Sequence, residues 1–174
     1  MEFATTNLLT VRGYSRKDVE QMLETRKAWT GYLLAGTTPR TTAVDALRKA
    51  ETQPWFNLAF MPKSSELTTD PAHNSGRREL NYDPVVAIRR VKIPLLLIYG
   101  GSDPWIPVEQ SVKQLRLLAN QQPNIRYVIV PNANHEMMFV EHDTMEFGEG
   151  TTNAPQASEY FMVMASLLCR QIRD

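Results

Sequence analysis

Pro94-Leu-Leu-Leu-Ile-Tyr-Gly-Gly-Ser-Asp-Pro-Trp-Ile-Pro107 decides the fold. Leu95 to Tyr99 is too short for a helix and apolar at every position. That predicts a strand buried on both faces and started by Pro94. Gly100 and Gly101 let the chain turn sharply at its end. Asp103 follows just past the carboxyl end of the strand, where ligands and catalytic groups gather in open α/β sheets. Taken alone, the acid reads first as a turn former or the cap of the next helix.

Downstream, Pro107 to about Asn120 has helical spacing, with Val108, Val112, Leu115 and Ala119 on one face. Ile125 to Val130 is β-branched at four of six positions and reads as a second strand. His135 lies in the loop that follows, Pro131-Asn-Ala-Asn-His135. Val140 to Asn153 is polar and acidic and reads as a loop. Pro155 to Arg173 is a final helix so widely apolar (Tyr160, Phe161, Val163, Met164, Leu167, Leu168) that it should pack beneath other elements. Strand, helix, strand, helix is the pattern of a parallel sheet, in which neighbouring loops leave from one end. Asp103 and His135 can therefore meet. A buried carboxylate that accepts from one imidazole nitrogen leaves the other free as a general base.

Upstream, Ser15 and Asp18 form a capping box that opens a helix running to Ala35, with a stop at Gly36. Residues 4–14 carry no strong pattern. Thr42 and Asp45 form a second capping box ahead of a narrow stripe of Ala43, Leu47 and Ala50. Pro54 to Pro62 holds three aromatics and reads as local core rather than a strand. Lys63 to Arg78 reads as a long mobile loop. Asp83 and Pro84 read as N-cap and first residue of a short helix through Arg90.

Gly100-x-x-Asp103-x-x-x-Pro107, then a helix, a strand and Asn132-x-x-His135, resembles the C-terminal part of the α/β-hydrolase superfamily. The resemblance covers about residue 83 to the end. It implies that Asp103 is the acid and His135 the base of a catalytic triad. Residues 1–82 resemble, more loosely, the helical cap or lid of peptidase- and esterase-like members. The implied architecture is a partial α/β-hydrolase fold: a helical cap, then strand-helix-strand-helix with parallel strands, in two parts, 1–82 and 83–174. The superfamily also places a Gly-x-Ser-x-Gly nucleophile upstream, and these 174 residues contain no such motif. Gly101-Ser102 abuts Asp103, while Ser64, Ser65 and Ser75 follow no strand.

The expectation is therefore the C-terminal part of a serine hydrolase of ester, thioester or peptide bonds, inactive alone, acting in the complete enzyme on a small-molecule or peptide substrate. A non-catalytic, self-associating or binding module derived from the same fold is the alternative. Trp105 reads equally as substrate contact and as local packing. The strand at 95–99 should have an open edge, covered by self-association or by a missing N-terminal half. Glu2-Phe3 is what a common restriction site encodes in frame, compatible with a vector-derived start and a gene extending upstream.

Lysine plus arginine balance aspartate plus glutamate at 19 each, with no long basic or acidic run, so nothing indicates nucleic-acid binding or electrostatic membrane attachment. Cys169 stands alone, so no internal disulfide forms; it reads as core on an apolar helix face. A cytoplasmic location fits that composition. No secretory leader or span-length apolar segment is visible. His142-Asp143 with His135 lacks metal-ligand spacing, no phosphate-binding glycine loop occurs, and no metal or cofactor is expected.

Overall fold

The computed structural model describes residues 1–74, 77, 80, 82–140 and 155–171. The chain divides into two compact units, one of Glu2 and Ala4–Asp83, the other of Pro84–Asp174 with Met1 and Phe3.

The first unit is helical. Helix α1 spans Glu2–Val11, where the sequence carries no strong pattern. Ala4, Leu8 and Leu9 are nonetheless buried, so packing rather than local propensity holds it. Helix α2, Arg16–Thr30, starts at the expected capping box: the Ser15 hydroxyl accepts from the Asp18 N–H, and the Asp18 carboxylate accepts from the Ser15 N–H. It ends in a wide turn over Gly31–Ala35, and Gly36 stops it at φ +60°. Helix α3, Arg40–Ala50, begins at Pro39. Thr42 and Asp45 thus lie inside the helix and form no cap; Asp45 pairs with Arg48 instead.

The core of this unit gathers Leu9, Met22, Leu33, Leu47, Trp55 and Phe56. Of the three aromatics expected there, Phe60 is the exception, 47% exposed at a backbone φ of +49°. Residues 63–74 differ from a free loop. They make short helical turns at Ser64–Glu66 and Pro71–His73, and Leu67 is buried. Arg40 donates to the carbonyls of Leu67 and Thr68, and the Tyr32 hydroxyl donates to those of Thr68 and Thr69. Such long-range contacts are invisible in a local reading of a polar stretch.

The second unit is α/β. Helix α4 spans Pro84–Arg89, strand β1 Leu95–Gly100, helix α5 Val108–Ala119, strand β2 Ile125–Val130 and helix α6 Ser158–Gln171. The strands pair in parallel, from Leu95 opposite Ile125 to Gly100 opposite Val130. The register brings both carboxyl ends level, so the two following loops leave side by side. One face of the sheet places Leu97, Tyr99, Ile125 and Tyr127 with Val85, Ile88, Leu115 and Leu118. On the other, Ile98 and Val130 meet Ala133, Met137 and Ala157.

Two expectations need correction. Leu95 to Tyr99 is only half-buried, because the sheet has two strands among the described residues. Helix α6 leaves Phe161, Met162, Met164 and Leu168 exposed rather than packed beneath other elements, and Cys169 is exposed with them.

Candidate functional site

The site is built where β1 and β2 end. Gly100 and Gly101 both keep negative or extended φ, so a left-handed turn is not what they supply. Gly100 is required for space. A Cβ there would stand 2.2 Å from the Asn134 carbonyl oxygen and 2.4 Å from that of Ala133. The absent side chain lets the loop after β2 lie directly against the end of β1. Backbone bonds then tie the two loops: Gly101 N–H donates to Val130 O at 2.8 Å, and Ser102 N–H to Ala133 O at 2.9 Å.

Asp103 enters this junction with its side chain 4% exposed. Its Oδ1 accepts from the backbone N–H groups of Trp105, at 2.7 Å, and Ile106, at 3.1 Å. Pro104, fully buried between Asp103 and Trp105, fixes φ and helps set that turn. Oδ2 lies 2.8 Å from His135 Nδ1. A carboxylate can only accept, so a hydrogen sits on Nδ1, and in the neutral ring that leaves the lone pair on Nε2. The His135 side chain is 53% exposed, leaving its outer edge open to solvent.

Asp103 and His135, the two expected catalytic residues, are brought into contact by the fold. Trp105 is half-buried two residues from Asp103, linked to it through its backbone N–H. Ser102 is half-buried and engages the junction by its backbone. Ser75, His142 and Asp143 lie outside the described residues, as does the expected loop beyond Val140. Among the described residues no group of three histidine, cysteine, aspartate or glutamate side chains could hold a metal ion. Asn134 is a residue the motif reading passed over. It is 3% exposed and its Oδ1 accepts from the N–H groups of Glu136 and Met138, both at 2.9 Å. The visible signal was an asparagine in a turn sequence, where such side chains bond the backbone two residues on.

No solved structure matches the chain. Among curated proteins, it is 26% identical over 161 residues to the acylamino-acid-releasing enzyme of Rattus norvegicus, an alignment covering 84% of this chain and 21% of the rat protein. Acylamino-acid-releasing enzyme 2 of Oryza sativa subsp. japonica is 31% identical over 64 residues, 37% of this chain and 8% of its own. The Homo sapiens enzyme is 31% identical over 68 residues, 39% of this chain and 9% of its own. This chain thus spans at most about a fifth of the length of these relatives. The model of the prolyl oligopeptidase family matches residues 42–149, well over half of the chain and inclusive of Asp103 and His135. The chain therefore belongs to the prolyl oligopeptidase family of the α/β-hydrolase superfamily.

Proposed function

We propose that Asp103 and His135 are the acid and the base of a serine-hydrolase triad whose nucleophile is carried on sequence outside these 174 residues. The observation that carries this reading is the pairing of His135 Nδ1 with Asp103 Oδ2 at 2.8 Å, with the other carboxylate oxygen already held by two backbone N–H groups. In the reaction, Nε2 of His135 removes the proton of the serine hydroxyl as its oxygen attacks the substrate carbonyl. The imidazolium that forms is stabilised by Asp103. The same proton then passes to the leaving alcohol, thiol or amine, giving an acyl-serine that water hydrolyses by the same route.

The names of the relatives describe the release of acylamino acids, which makes an N-acylated peptide the first substrate to try. Esters and thioesters follow from the same chemistry. Residues 1–82 serve as the helical cap in this reading, supported by their position ahead of the acid-bearing strand. Trp105 is a substrate-facing residue, supported by its place beside Asp103. The nucleophile-bearing part also covers the outer edge of β1; without it, copies of the chain associate.

The test is a fluorophosphonate probe together with p-nitrophenyl ester hydrolysis. The purified chain should neither label nor turn over. A longer product of the same gene that carries a Gly-x-Ser-x-Gly segment should do both, and His135→Ala in it should lower kcat by at least about 1000-fold. Labelling of the 174-residue chain, or full activity of the His135→Ala protein, would contradict the proposal.

A further inference from the structure

We infer that Asn134 is a positioning residue for His135, acting through the backbone of the loop that carries the imidazole. This rests on the reading of His135 as the general base, and names what aims it.

The loop after β2 is a small clasp. Asn132 and Met137 adopt left-handed φ values of +53° and +60°, each a local cost for a residue with a side chain. The clasp closes through Asn134 N–H to Met138 O at 3.0 Å, Met137 N–H to Asn134 O at 3.1 Å, and Val140 N–H to Asn132 O at 2.8 Å. Within it the N–H groups of Glu136 and Met138 are held by the buried Asn134 Oδ1. His135 sits between Asn134 and Glu136, so the peptide unit after it is held by the Asn134 side chain, and the unit before it by Met137 N–H on the Asn134 carbonyl. The Asn134 carbonyl is also pressed against Gly100, at the end of the neighbouring strand. Position 134 therefore couples the His135 backbone to the strand that leads into Asp103. With His135 half exposed, burial of the ring itself does little to hold its direction.

The readout is the neutral tautomer of His135, measured by nitrogen-15 NMR of the imidazole in the full chain. Asn134→Ala removes the acceptor and should move the ring from the Nδ1–H form more than half of the way to the mixture shown by Asp103→Ala. Asn134→Asp retains an oxygen that accepts both N–H groups and should restore the wild-type tautomer. A merely structural loss would lower the melting temperature without altering the tautomer of the molecules that remain folded. A folded Asn134→Ala protein with the wild-type tautomer would overturn the inference, as would Asn134→Asp behaving like Asn134→Ala.

If Asn134→Ala does not fold, amide exchange in the wild type decides. The Glu136 and Met138 amides should exchange at least about 100-fold more slowly than in an unstructured loop. Unprotected amides would show that Asn134 holds nothing. Neither readout uses hydrolysis. An inactive longer enzyme would count against the functional proposal without changing either readout.

Discussion

At Asp103 two readings of one residue both hold, on different oxygens. Oδ1 forms the turn through Trp105 and Ile106, while Oδ2 meets His135. A local reading of Ser-Asp-Pro sees only the turn; the second contact needs a partner 32 residues away. Gly100 was legible as a special position but for the wrong reason, since close backbone approach is a tertiary property. Gly100→Ala sets a Cβ against two backbone carbonyls that cannot rotate aside. It should cost the α/β unit about 2–4 kcal/mol in chemical denaturation, at or above the upper end of ordinary overpacking. Arg26 was not legible at all. It is 3% exposed on α2, with its guanidinium donating to the Ala59 carbonyl and Thr5 hydroxyl and lying 5.9 Å from the Trp29 ring centre. Burial lowers its pKa, so the charge is a strain that those bonds offset. Arg26→Ala should destabilise the helical unit by about 1–3 kcal/mol, because the Ala59 carbonyl is left buried without its donor. A gain in stability on denaturation would show that relief of the buried charge outweighs those bonds.

At the scale of elements, what sequence periodicity encodes is what it recovered. The α2 cap, both strands and α5 follow from local signals: a capping box, apolar runs and a 3.6-residue stripe. Helix α1 and the pinned segment at 63–74 were missed, because their stability comes from Leu9 and Leu67 entering a shared core and from Arg40 and Tyr32 reaching across. Strand β1 carries its own test. Burial of the Tyr99 phenol raises its pKa above the ordinary tyrosine value. The folded state thus favours the neutral phenol. That contribution is complete below the unfolded pKa of about 10 and is lost as pH climbs through the raised value. In an alkaline titration followed by phenolate absorbance, one of the six tyrosines should ionise late, and Tyr99→Phe should remove that step. Survival of the late step in Tyr99→Phe would place it on another tyrosine.

The whole molecule joins a well-filled helical unit to an α/β unit whose apolar surface is partly open. Between the sheet and α6 runs a groove of about 560 Å³, lined in part by Leu96, Val128, Met162 and Leu167, and the outward face of α6 is apolar as well. A β1 edge without a partner strand among the described residues adds backbone groups that seek pairing. No described helix is long and apolar enough to cross a membrane. Sedimentation velocity over a dilution series should therefore show association that weakens on dilution and in Leu168→Glu; a monomer that binds no hydrophobic dye would contradict an exposed face. These 174 residues, with no companion, already hold the acid and the histidine in contact. Nitrogen-15 NMR of His135 in the isolated wild-type chain tests that contact most directly. At a pH where the ring is neutral, its hydrogen is expected on Nδ1 and should shift toward Nε2–H in Asp103→Ala. A wild-type ring already protonated on Nε2, unchanged by that substitution, would contradict it.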